Sequence, residues 1–201
     1  DLSVSSDNLT FTYEAKSLPY PIDTSYYDNE KHTQADALSV IPFMDEMNYE
    51  GLSVSGLSDG YYGLTIGGEF IGRFTARELE RGINMALLQN TPQYKQAMKI
   101  RQMNEERWLK ERKMREFYWV EYNLMRKTGM LWACNEAAVD TLRKYRPHDI
   151  FLQWNGALWL QYMHKGIRED CVNEQQDLVN QIYEQNKPIP LQIEIKKFTD
   201  L

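Results

Sequence analysis

The chain has 201 residues, of which 42% are hydrophobic and 26% charged, and its formal net charge is −6. That length allows one medium domain or two small ones with a real core, and the composition excludes disorder except near the termini and around residues 23–34. The acidic balance gives no phosphate-backbone footprint, so no nucleic-acid partner is expected, and no apolar run is long enough to span a membrane.

Asn8 to Tyr13 alternates, putting Leu9, Phe11 and Tyr13 on one face of a half-buried strand. Leu18-Pro19-Tyr20-Pro21-Ile22 carries two prolines, which suits an edge or an extended crossing segment. Residues 23–34 are polar and turn-rich and read as a loop. A short apolar run, Ala37 to Phe43, leads to a helical turn near Asp45. Leu52 to Ser55 reads as a strand, Gly56 to Gly60 as a turn, and Tyr62, Leu64 and Ile66 as a second strand. Gly67-Gly68 is a two-residue hairpin signal leading into a third strand through Phe70, Gly72 and Phe74. Thr75 then stands as a helix cap with Glu78 at capping-box spacing, and the helix is predicted to run through Leu79, Ile83 and Met85 to about Leu88.

Thr91-Pro92 starts another helix, and no Gly or Pro interrupts residues 93–128. A helix of that length would span about 50 Å. Met114, Phe117, Tyr118, Tyr122 and Met125 form its predicted apolar stripe, and Gly129 ends it. A shorter helix covers about Asn135 to Tyr145, before Pro147. Asp149 caps a third, with Leu160, Met163, Ile167, Cys171, Leu178 and Ile182 on one face. Lys187-Pro188 stops it, and Leu191, Ile193 and Ile195 alternate as a final strand. The expected class is α+β: a small antiparallel β-sheet or sandwich-like layer packed with a long helical hairpin. The expected segments are 1–90, β-rich and ending in a short helix; 91–187, helical hairpin; and 188–201, returning strand, together one integrated domain.

Candidate chemistry is sparse. Gly56-Leu57-Ser58-Asp59-Gly60 matches G-x-S-x-G, but a strand follows it where a nucleophile elbow needs a helix, so Ser58 reads as a turn residue. His32 in a polar loop, His148 at a helix start and His164 on the third helix near its apolar stripe lie in no metal-ligand or triad spacing, and each reads as a core or boundary imidazole. Asp149, Glu169 and Asp170 are possible carboxylate partners whose convergence spacing cannot show, and Asp45, Glu46 and Glu50 read as helix-end and turn residues. Trp108, Trp119, Trp132, Trp154 and Trp159 have helical spacing, which favours core packing over a sugar platform. Cys134 and Cys171 read as two buried free thiols in preference to one bridge between helices. The basic run Lys110 to Arg115, interleaved with Glu105, Glu106, Glu111 and Glu116, reads as a solvated helix face. No catalytic, cofactor-binding or metal-ligating residue is assigned. Opening on Asp1 without an initiator Met or a signal peptide, the chain reads as a mature product or a portion of something longer.

One string of residues carries a resemblance. It runs through Leu52, Val54, Gly56-Leu57, Tyr62, Leu64, Ile66, Gly72, Phe74, Glu78-Leu79 and Gly82-Ile83-Asn84-Met85-Ala86, then Thr91-Pro92 and Gln96-Ala97. Upstream, Leu9-Thr10-Phe11, Leu18-Pro19-Tyr20-Pro21-Ile22-Asp23, Ile41-Pro42-Phe43 and Asn48 extend it, and the strand after Lys187-Pro188 closes it. The set resembles the region that follows the catalytic domain in bacterial SGNH/GDSL-type hydrolases, with Gly67 where that group usually has Asp. The resemblance implies an ester hydrolase that attacks through a Ser in an early G-D-S motif and a D-x-x-H pair. Neither motif is in this chain, so no catalytic residue transfers and the chain alone is expected to be inactive. What it implies is a non-catalytic C-terminal region of an exported bacterial enzyme, periplasmic or extracellular. Its partner would be its own N-terminal catalytic domain, with an ester-bearing glycan as a further candidate ligand. A free-standing carbohydrate-binding module, or a helical assembly module, is the alternative.

Overall fold

Three alternating stretches set the architecture. Leu9, Phe11 and Tyr13, then Tyr62, Leu64 and Ile66, then Leu191, Ile193 and Ile195 each place apolar side chains on one side of a strand, and strands of that kind must share a face to hide them. The computed structural model describes residues 2–4, 8–22, 26–27 and 32–198, giving only the backbone of 2–4, 26–27 and 32. It separates into two compact units, Asp1–Arg101 with Gln185–Leu201, and Gln102–Glu184.

In the first unit, β1 (Leu2–Val4), β2 (Asn8–Tyr13), β6 (Tyr61–Ile66), β7 (Glu69–Thr75) and β9 (Leu191–Lys197) form an antiparallel sheet of order β1-β2-β9-β6-β7. Register puts Leu9 opposite Ile195, Phe11 opposite Ile193, and Leu64 and Ile66 opposite Ile195 and Ile193 from the other side. Gly67 and Gly68 join β6 to β7 with φ of 58° and 83°, the paired positive angles a two-residue hairpin of this hand requires. The same unit holds small elements: β3 (Tyr26–Tyr27) with β4 (His32–Thr33), α1 (Gln34–Ala37), α2 (Phe43–Glu46), and β5 (Gly51–Leu52) paired with β8 (Ile83–Asn84). The covered face of the sheet packs on Leu52, Ala76, Leu79 and Met85.

Helix α3 (Ala76–Arg81) starts as expected. The Glu78 N–H donates to Thr75 Oγ1 at 3.2 Å, and the Thr75 N–H donates back to the Glu78 carboxylate at 2.7 Å. That backbone donor holds the Glu78 carboxyl below its ordinary range. Thr75→Ala is expected to cost about 1 kcal/mol, read as a lower urea midpoint at unchanged slope. The helix stops much earlier than predicted. Gly82 takes φ 92°, Ile83–Asn84 becomes β8, and Met85–Leu87 forms one 3₁₀ turn. The apolar period across Leu79, Ile83 and Met85 therefore joins two different elements. The Leu52–Ser55 strand shrinks to Gly51–Leu52, because past Leu52 the Val54 N–H turns to the Leu79 carbonyl.

The second unit is helical and has its own core around Phe117, Val120, Met125, Leu142 and Trp159. Helix α4 (Pro92–Val120) runs without a break into a π-helical turn, Glu121–Met125. Helix α5 (Glu136–Tyr145) is capped by Asn135, whose side chain accepts the Ala138 N–H. The single third helix expected after Asp149 is two, α6 (Ile150–Tyr162) and α7 (Lys165–Gln185). Arg168 reaches back to the Tyr162 and Met163 carbonyls at that break, which satisfies groups a continuous helix would have bonded internally. Ile167, placed by spacing on the apolar face, is exposed for the same reason. Strands in one unit and helices dominating the other make the class α+β, as expected.

Candidate functional site

Residues 42–52 hold one helical turn and two strand residues, so most of their backbone polar groups need other partners. Two asparagines supply them. The only N–H between Pro19 and Pro21, that of Tyr20, donates to Asn48 Oδ1 at 2.8 Å, and Asn48 Nδ2 donates to the Tyr20 carbonyl at 3.0 Å. Asn84 Nδ2 donates to the Met44 and Asn48 carbonyls, while its Oδ1 accepts the Glu50 and Ala86 N–H groups. The Tyr94 hydroxyl, on the first turns of α4, donates to the Ile22 carbonyl at 2.7 Å. The motif residues Tyr20, Asn48 and Asn84 are thus one structural knot.

The knot shapes a cleft of about 490 Å³ between the 13–20 and 47–51 segments. Tyr13 and Glu50 both line it, and Gln93 lines a small cavity of about 10 Å³ that shares Tyr13 and Leu18 with it. Gln93 is 3% exposed. Both carboxylate oxygens of Glu50 and both amide atoms of Gln93 are buried without a hydrogen-bond partner. The Tyr13 hydroxyl and the Gln93 amide lie near enough to the Glu50 carboxyl to favour its charged form, but neither reaches hydrogen-bond geometry. Burial outweighs them and raises the Glu50 carboxyl above its ordinary 4.5. Burial, and then the Glu50 charge, push Tyr13 up to about 12.

A pH dependence follows. A carboxyl raised in the fold contributes most when protonated, so its contribution is complete below about 4.5 and fades as pH rises through the folded value. Glu50→Gln removes that loss. The melting temperature of Glu50→Gln relative to wild type should rise between about pH 4 and about pH 8. A difference that stays constant with pH would show that Glu50 is not strained by its ionisation.

The residues singled out by sequence are scattered. Ser58 is tied into its turn: Lys197 Nζ donates to Ser58 Oγ at 2.6 Å, and the Tyr62 hydroxyl donates to the Ser58 carbonyl at 2.9 Å. With the Tyr62 proton so used, Ser58 Oγ–H faces the Tyr62 oxygen at 3.1 Å, and a strand, β6, follows the turn. The side chain of His32 lies outside the described residues. His148 is exposed in a 3₁₀ turn, and Asp149 caps α6, accepting the Phe151 and Leu152 N–H groups. Asp149 borders a different cleft from Glu169 and Asp170, so the three do not form one constellation. Asp45 and Glu46 are exposed on α2, as their reading as helix-end residues requires.

Several expectations are overturned. Of the five tryptophans only Trp159 is fully buried; Trp108, Trp132 and Trp154 are exposed, the last by 66%. Helical spacing marks a face without saying what covers it. Cys171 is buried and free as expected, but Cys134 is exposed, with its Sγ 3.3 Å from His164 Nδ1. His164 is exposed at the α6–α7 break and not on an apolar face. The basic run does behave as a solvated face, with Arg107–Glu111, Lys110–Glu106 and Arg112–Glu116 pairing one turn apart.

Sequence reasoning missed Glu121, which is 1% exposed. It accepts Trp159 Nε1–H and the Trp132 backbone N–H, each at 2.8 Å. Trp132 is the one non-glycine residue with positive φ (62°) among those described, and its ring meets Tyr118 and Tyr122 edge-on at 6.0 and 5.9 Å. Among the described residues no group of three or more His, Cys, Asp or Glu could hold a metal ion, and no helix is long and apolar enough to cross a membrane.

Residues 98–187 match the family model described as the diltiazem deacetylase C-terminal helical domain. The chain is also similar to a solved structure described as a gut microbial diltiazem-metabolizing enzyme, at 36% identity and a TM-score of 0.90. That likeness covers 98% of this chain and 45% of the other, so this chain spans less than half of the solved protein's length. No curated protein matches.

Proposed function

We propose that this chain is the non-catalytic C-terminal region of a bacterial SGNH/GDSL-like ester hydrolase, and that it packs on or covers the catalytic portion of the full protein. The carrying observation is the match of residues 98–187 to the C-terminal helical domain of a deacetylase. It is supported by a likeness that fills nearly all of this chain and under half of the relative. The motif residues fit the same reading. Asn48, Asn84 and the Thr75–Glu78 cap are used for architecture, and none is free to attack an ester. The full enzyme would be exported and would act on ester-substituted glycans or similar esters.

The 201-residue chain alone should therefore show no turnover of short acyl esters, and Ser58→Ala should leave that background unchanged. Turnover that a serine-reactive phosphonate abolishes would sink the proposal.

A second reading, a module that stacks sugar rings on exposed aromatics, is favoured by Trp132, which is 45% exposed and flanked by two tyrosines. It predicts saturable glycan binding that Trp132→Ala abolishes, and calorimetry without heat across a glycan panel would count against it.

A further inference from the structure

The four unpartnered atoms beside the 13–20 segment are more specific than their burial alone suggests. Buried polar groups in folded proteins nearly always find partners, and those that do not call for a ligand, a water or a function. Here they comprise three acceptors, the two Glu50 oxygens and Gln93 Oε1, and one donor group, Gln93 Nε2. We propose that this cleft binds a neutral polyhydroxylated ligand, a sugar ring or a sugar alcohol, whose hydroxyl groups donate to Glu50 and accept from Gln93.

The choice of ligand class follows from what each class would leave unsatisfied. An ammonium or guanidinium group would pair with Glu50 but present only donors to the Gln93 N–H groups. A carboxylate or phosphate would accept from Gln93 but place like charge against Glu50. A hydroxyl both donates and accepts, so three neighbouring hydroxyls can supply one donor to each of the three acceptors while accepting from the Gln93 N–H groups, with no atom left over. The rim agrees. Tyr20 and Tyr49 border the cleft with half-exposed rings that offer apolar faces, and Glu14, Lys16 and Ser17 add polar groups around them. The cleft beside Glu50, about 490 Å³, has room for one ring, and Gln93 lies in the adjoining cavity of about 10 Å³, so the ring's hydroxyls reach Gln93 only as the space between the two opens.

The four atoms are covered from solvent, so binding requires the 14–20 segment to yield. That segment has neither strand nor helix. At Tyr20 it is held by the two hydrogen bonds to Asn48, which can act as its hinge.

The inference goes beyond the C-terminal-region reading and does not depend on it, since an ester assay and a binding titration can fail separately. The test uses the intact chain, isotope-labelled, titrated with myo-inositol, D-xylose and D-glucose, and with n-butylamine and acetate as charged controls. At least one of the neutral probes should bind saturably with a Kd on the order of 1 mM, shifting amides of residues 13–20 and 47–51. Glu50→Gln and Gln93→Leu should each weaken it about tenfold, while Trp132→Ala leaves it unchanged. Glu50→Gln is expected to fold at least as well as wild type at neutral pH, and its amide spectrum shows whether it does. No shift at these residues with any neutral probe would overturn the proposal. So would binding by n-butylamine alone, or neutral-probe binding that neither cleft variant weakens.

Discussion

Glu121→Ala is expected to cost about 4 kcal/mol and to be among the most damaging single substitutions in the chain. The carboxylate is buried in the helical unit and takes two hydrogen bonds of 2.8 Å, one from an indole N–H and one from a backbone N–H. Hydrogen bonds to a carboxylate contribute about 1.5–3 kcal/mol each, and their loss strands both donors. The second donor belongs to Trp132, whose positive φ already costs about 1–3 kcal/mol and persists only because its surroundings hold it. Glu121→Gln keeps one acceptor oxygen and turns an amide NH₂ toward the other donor, so it should lose about half as much. Urea unfolding followed by tryptophan fluorescence checks this. A loss below about 1 kcal/mol for Glu121→Ala would mean that water replaces the carboxylate.

Asn84→Ala comes next, at about 3 kcal/mol. One side-chain amide donates to the Met44 and Asn48 carbonyls and accepts from the Glu50 and Ala86 N–H groups, at 2.8 to 3.1 Å. Alanine leaves all four backbone groups without their partner. Asn84→Asp should do no better, because an added acceptor would face two carbonyl oxygens. The loss is local as well as global. Hydrogen exchange at the Glu50 and Ala86 amides should accelerate toward the rate of full unfolding, while Leu64 and Ile195 in the sheet keep their relative protection. Unchanged protection at Glu50 would show that this amide does not hold the segment.

Both residues illustrate what the sequence made readable and what it hid. Alternation revealed β2, β6, β7 and β9 because a strand hides one face and the pattern repeats every second residue. The Thr75–Glu78 spacing revealed the start of α3 because the cap is a local interaction. Glu121 was hidden because a charged residue was not expected on a buried face. The predicted stripe through Tyr118 and Tyr122 skipped it, although the covered face runs through Phe117, Val120, Glu121, Leu124 and Met125. Asn84 was visible as part of a motif, but its role depends on residues 34 to 40 positions earlier in the chain. Glu50, read as a turn residue, became a candidate ligand group only when β2 and α4 were brought beside it. No spacing rule connects Tyr13, Glu50 and Gln93, because chain separation says nothing about which elements meet.

The position of β9 has a consequence for how the molecule is made. Strand β9, synthesised after β1, β2, β6 and β7, lies between β2 and β6, at the middle of the sheet. While the ribosome is still adding Leu191–Lys197, β2 and the β6–β7 hairpin have no neighbour to join them. Their exposed edges must wait without pairing to other chains. Gln102–Glu184, complete in sequence earlier, has only its own local helices to assemble. The order of birth thus favours helices first and the sheet last, with closure over a long intervening segment as the slow step.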